Sequence, residues 1–167
     1  MASPGSFLQT ATRMRLSLQV QYAVCGVFDL AYNGQGDPVQ IRVISERQGI
    51  PARYLEQIFQ RLRRARLVQS KRGPGGGYTL ARRPAEITLR DIVEAVEGPL
   101  NGKGARTRQR IRGDKHSPTS YRPSFLWPIL SESIADVLAR TNLEVMCREA
   151  QRSSVRRAHS DLHMYFI

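Results

Sequence analysis

Cysteine is scarce in this chain. The 167 residues include two, Cys25 and Cys147, far apart and with no C-x-x-C spacing. Neither a disulfide framework nor a zinc site can be built on that pattern, so both thiols are expected to be small buried hydrophobes. Acid is short as well: 14 Asp and Glu stand against 26 Lys and Arg, a formal net charge of +12. Such an excess calls for a polyanionic partner, nucleic acid ahead of an anionic membrane surface. Long apolar runs are missing. A stretch such as "YAVCGVFDLAY" is too short and too interrupted to span a bilayer, and the first residues lack the basic start and apolar centre of a signal peptide. The expected location is the cytoplasm, with no membrane partner. His116, His159 and His163 fall in predicted loop or tail, and no nucleophile with a paired base and no carboxylate dyad can be assembled. An enzyme is therefore not expected.

What is present is helical periodicity. Residues 1–13 are small and polar and read as a loose extension. From Leu16, the residues Val20, Ala23, Val24, Val27, Leu30 and Ala31 recur at spacings of three and four, predicting an amphipathic helix that ends at Asn33-Gly34. After a turn over Gln35 to Pro38, "VQIRVISERQGIPARYLEQIFQRLRRARLV" reads as two helices broken at Gly49. Val43 and Ile44 supply the buried side of the first. Gly49 can take the left-handed conformation that stops it, and Pro51 suits the first turn of the next. A short helix, a tight turn and a longer helix make a helix-turn-helix.

The second of these helices has a buried stripe of Leu55, Ile58, Phe59, Leu62 and Ala65. Its other side carries Arg53, Tyr54, Gln57, Gln60, Arg61 and Arg64, a mixture of cations for phosphates and of amides and guanidiniums that pair bidentately with purine edges. A charge run is usually just a solvated face. Here no acidic residue occurs from Gln57 through Arg72, whereas an ordinary exposed helix mixes both signs.

"KRGPGGGYTL" follows. A short strand over Leu67 to Ser70, a turn from Arg72 to Gly76 and a returning strand from Gly77 to Ala81 make a β-hairpin, the wing of a winged helix. Gly73, Gly75 and Gly76 let the turn approach a sugar-phosphate backbone, with Lys71 and Arg72 at its base to supply charge. A nucleotide-binding P-loop fails on context, because the cations precede the glycines and a strand follows. In "ITLRDIVEAVEG", Thr88 caps a further helix with Asp91, Leu89, Ile92, Val93 and Val96 face inward, and Gly98-Pro99 ends it. Residues 101–122 are basic and nearly free of aliphatics, so a long loop is expected. Phe125, Leu126, Ile129, Leu130, Ile134, Val137 and Leu138 then resume a helical period with a broad apolar side that wants a partner. A dimerisation helix is predicted, then a short helix around Leu143 to Ala150, with a frayed basic tail from 151 to 167.

With these stretches in view, the chain resembles the Rrf-type family of winged helix-turn-helix regulators. The matching blocks are "MRLSLQVQYAV", "ISERQGIPARYLEQIFQRLRRARLV", "RGPGGGYTLAR" and "EITLRDIVEAVEGPL", in order from Met14 to Leu100, with "LWPILSESIADVLARTNLEVM" a weaker match to the family's dimer helix. The resemblance implies a mainly α fold: a winged domain over 14–100 and a dimerisation helix and short following helix over 123–150. It implies a homodimer that binds a pseudo-palindromic double-stranded DNA operator, usually as a repressor.

The family's cluster-binding members carry three closely spaced cysteines in the loop corresponding to 101–122. This chain has none there, and His116 is that loop's one soft-metal ligand. Cys25 and His116 meeting across a dimer would give two ligands per site, short of the four a cluster takes. No cofactor or metal is expected. The loop cations Lys103, Arg106, Arg108, Arg110, Arg112 and Lys115 either take up an anion or DNA, or form a disordered basic segment. Two other functions stay open: a nonspecific nucleoid protein, which the high net charge favours, and a heterodimerisation partner of a related regulator, paired through the apolar C-terminal helix.

Overall fold

The computed structural model describes residues 16–100, 123 and 125–158. The N-terminal extension, the basic loop and the tail beyond 158 lie outside the described residues. The elements in order are α1 (Leu18–Asn33), α2 (Ile41–Gln48), α3 (Ala52–Arg64), β1 (Val68–Lys71), β2 (Gly77–Leu80), a 3-10 turn (Pro84–Glu86), α4 (Leu89–Glu97), α5 (Leu126–Ala139) and α6 (Leu143–Arg152). This is a mainly helical winged helix-turn-helix with a two-stranded antiparallel wing.

The local chemistry explains the boundaries. Ser17 accepts a hydrogen bond from the Val20 N–H and starts α1. Thr88 and Asp91 form a reciprocal capping box at the head of α4. Gly49 ends α2 with φ 64°. The end of α3 uses the same left-handed conformation without glycine. There the Leu67 N–H donates to the Leu62 carbonyl and the Arg66 N–H to the Arg63 carbonyl, a Schellman pair with Arg66 at φ 57°. A side chain in that conformation costs about 1 kcal/mol relative to glycine.

The core is one cluster. Phe59, Leu55 and Leu62 of α3 meet Val20, Ala23 and Val27 of α1, Ile44 of α2 and Ile92 and Val93 of α4. Gly26 brings α1 close to α3, since a Cβ there would lie 2.7 Å from Cε2 of the buried Phe59. Among the described residues one carboxylate is fully buried. Asp29 of α1 accepts from Asn33 Nδ2 at 3.0 Å, from Gln48 Nε2 at 2.9 Å and from Arg47 at 3.3 Å, which ties α1 to the end of α2.

The wing is fastened in two ways. Tyr78 packs edge-on against Phe59 with ring centroids 5.0 Å apart, and its backbone exchanges two hydrogen bonds with Val39. Gly77 allows that second contact, because a Cβ there would lie 2.5 Å from the Val39 carbonyl carbon.

Four expectations change. Ala65 is exposed rather than part of the buried stripe, because it caps α3 and the chain turns away there. Pro51 sits at the cap of α3 rather than within its first turn. The C-terminal helices pack on the N-terminal ones: α5 packs on α4 and α6 on α1, and Leu89 and Leu143 make backbone hydrogen bonds to Thr141 and Ile87. Leu138 accordingly joins the core of its own chain, with Leu143. The tail begins tethered, since Tyr32 Oη donates to the Val155 carbonyl, the Ala158 N–H to Asn33 Oδ1, and the Arg157 guanidinium lies 4.9 Å above the Tyr32 ring.

Candidate nucleic-acid interface

α3 buries Leu55, Ile58, Phe59 and Leu62 and turns Arg53, Tyr54, Gln57, Gln60 and Arg64 to solvent. Spacings of three and four put these five on one face. Tyr54 remains 54% exposed and leans on Tyr22 of α1, with ring centroids 6.5 Å apart, so its ring is braced without being covered. Arg61 departs from the expectation. Its guanidinium is half-buried, donating to Gln19 Oε1 at 2.9 Å and to the Val96 carbonyl at 3.0 Å, which clasps α3 to α1 and to the end of α4. The reason is position: one turn from Gln57, the side chain falls on the flank between the apolar stripe and the open face.

Glu56 was passed over by the sequence reading and is exposed on α3 beside these residues, with no ion-pair partner among the described residues. A carboxylate in a major-groove reading face can accept from the cytosine amino group. Its exposed spacing from Arg53 and Gln60 was the available signal.

The wing tip projects Lys71 and Arg72 into solvent at the base of a turn whose Gly73 and Gly75 have positive φ. A Cβ on Gly76 would collide with the Lys71 carbonyl oxygen, so that glycine is required by the hairpin itself. The register pairs Val68 with Leu80 and Ser70 with Tyr78, placing Gln69 and Thr79 on the opposite face.

On α5 a second exposed face appears. Phe125, Trp127, Ile129, Leu130, Ile134 and Val137 are all exposed, whereas Leu126 is half-buried and Leu138 buried. Trp127 was missed because one more aromatic within an apolar run carries no distinct signal.

Metal chemistry finds little support in the donor set. Among the described residues no group of three or more His, Cys, Asp and Glu is placed to hold an ion. Burial pushes the thiols of Cys25 on α1 and Cys147 on α6 above their usual range, which disfavours the thiolates a cluster needs. Two cysteines per chain, neither within 101–122, do not fit a four-thiolate site.

A helix-turn-helix whose second helix presents cations and amides, followed by a basic hairpin, defines a DNA-binding winged-helix protein. A model of the Rrf2 family, described as iron-dependent transcriptional regulators, matches residues 16–149. The chain belongs to that family and is a transcriptional regulator, not an enzyme. The HTH-type transcriptional regulator IscR of Photorhabdus laumondii is 40% identical over 78% of this chain and 77% of its own. IscR of Vibrio cholerae is 39% identical over 90% and 84%. Among solved structures, T. potens IscR matches with TM-score 0.64 at 34% identity, covering 92% of this chain and 98% of that one. CymR of B. subtilis, the global cysteine regulator, matches with TM-score 0.61 at 29% identity, covering 81% and 98%. No helix among the described residues is long and apolar enough to cross a membrane.

Proposed function

We propose that this regulator is a cytoplasmic homodimer that reads a pseudo-palindromic operator and represses transcription without an iron-sulfur cluster. The observation that carries the reading is the open face of α3, with Arg53, Tyr54, Gln57, Gln60 and Arg64 beside Lys71 and Arg72 of the wing. Arg53 and Gln57 lie toward the N-terminal half of α3, the part of a recognition helix that reaches base edges. Arg64, Lys71 and Arg72 serve the phosphates. Gly73, Gly75 and Gly76 give the wing tip a low profile against the backbone. Arg61 acts from behind, holding α3 in place. The exposed apolar side of α5 supplies the two-fold, which sets half-sites about one helical turn apart or a multiple of it.

The test is competition. Operator selected from a random library should be preferred over unrelated duplex by at least about a thousandfold. A ratio near unity would instead mark a nonspecific architectural protein. Sedimentation of the lone chain decides the second alternative: a tight homodimer at submicromolar concentration rules against an obligate heterodimer. A reporter that rises on deletion of the gene establishes repression, and one that falls establishes activation. Iron and acid-labile sulfide measured on protein purified without oxygen test the absent cluster, since stoichiometric amounts of both would overturn it.

A further inference from the structure

The end of α3 places a cation where the backbone favours glycine. Arg66, in the left-handed conformation at φ 57°, borders an open cleft at the root of the hairpin. The cleft has a volume of about 570 Å³ and is lined by Arg63, Arg66 and Arg82 together with Gln69 and Ser70. Among the described residues no carboxylate lines it. Arg66 and Arg82 are exposed and have no ion-pair partner among the described residues, while Arg63 donates to Ser70 Oγ at 3.3 Å. Glu86, the acid that senses Arg82, is already held by Arg83 at 2.6 Å. Three arginines line the cleft with an amide and a hydroxyl, a donor set that matches the oxygens of phosphodiesters.

We propose that this cleft is a second phosphate site, in which Arg63, Arg66 and Arg82 grip the duplex backbone beside the groove that α3 enters. The site rests on the DNA-binding reading above and adds to it three cations which that reading leaves unused. Its location argues for backbone rather than a small anion. The cleft lies between the C-terminal end of α3 and β1, at the root of the hairpin whose tip carries Lys71 and Arg72. It is also open along its length, whereas small-molecule sites enclose most of the ligand. An arginine at a glycine position is then the cost of delivering charge to that spot.

The experiment compares Arg66→Gly, Arg82→Gln and, as a remote control, Arg140→Gln at the exposed cap of α5. Affinity for a selected operator duplex is measured across a salt series alongside thermal midpoints. Arg66→Gly should raise Tm by about 4 °C, because the strained side chain is gone. The same variant should weaken binding about fivefold and shrink the slope of log affinity against log salt by about 1.8, one phosphate contact from each half-site of the two-fold complex. Arg82→Gln should shrink the slope equally with Tm unchanged, and Arg140→Gln should leave both as they were.

Wild-type slopes in the first two variants would overturn the site, as would an equal loss in the control, which would reveal only long-range charge. Inorganic phosphate that stabilises the wild type but not Arg66→Gly, with duplex slopes unaltered, would assign the cleft to a free anion and also overturn it. A wild type that binds no duplex sinks the DNA-binding reading itself. A wild type with a steep slope matched by its variants sinks the cleft alone.

Discussion

Two helices of this protein turn an unsatisfied face to solvent, and the faces differ in kind. α3 shows Arg53, Gln57, Gln60 and Arg64, while α5 shows Trp127, Ile129, Ile134 and Val137. Water solvates guanidinium and amide groups well, so the first face is stable alone and simply waits for a polyanion. Apolar side chains at 62% exposure for Trp127 and 63% for Val137 are different, because covering them returns about 25 cal/mol for each Å² removed from water. The contrast teaches that one surface is suited to reversible binding and the other to a standing assembly. On the proposed reading, DNA comes and goes from α3, and a second chain stays on α5.

The largest expected effect comes from breaking the apolar side. Ile134→Asp with Val137→Asp should weaken the dimer at least about a hundredfold, and operator affinity should fall by a similar factor as the half-sites lose their linkage. Sedimentation together with operator titration checks this, and an intact dimer would mean that α5 is not the interface. Next comes the frame beneath α3. Asp29→Ala removes the buried carboxylate that Arg47 and Gln48 depend on, and should cost about 3 kcal/mol in urea unfolding.

On the polar side, Gln57→Ala should weaken operator binding by about 1–3 kcal/mol while hardly changing affinity for random duplex. Equal loss on both would move Gln57 from the bases to the backbone. Arg61→Ala sharpens the same comparison from within α3. Because its guanidinium is spent on Gln19 and Val96, it should lower Tm while leaving the salt slope unchanged. A slope smaller by about 1.8, one contact in each half-site, would return it to the phosphate-binding set.

The smallest effect concerns the thiols. Burial raises both above the ordinary range, so they stay protonated near neutral pH. Iodoacetamide should modify each about tenfold more slowly than a free cysteine, with the rate climbing as pH rises and the thiolate forms.

Much of this architecture is legible in the amino-acid order because it depends on near neighbours. The stop at Gly49, the Thr88–Asp91 box and the three-and-four spacing of Leu55, Ile58, Phe59 and Leu62 are all decided within one or two turns. Arg53, Tyr54, Gln57, Gln60 and Arg64 are exposed where the pattern places them. The departures from the sequence pattern, Arg61 and the start of the tail held by Tyr32, answer to distant partners. Arg61 bonds to groups 35 and 42 positions away, and Tyr32 to a carbonyl 123 positions away. Leu138 looked like its neighbours on α5, yet α4 lies under it and takes it into the core.

The sequence by itself determined the helices, the wing, the excess of positive charge and the family, since periodicity, capping and turn chemistry act over a few residues. The tertiary structure decided which cations remain open to a ligand, which apolar residues of α5 are left uncovered, and that Arg63, Arg66 and Arg82 share one cleft. Those outcomes depend on which surfaces are brought together across long stretches of chain, and no local pattern records that.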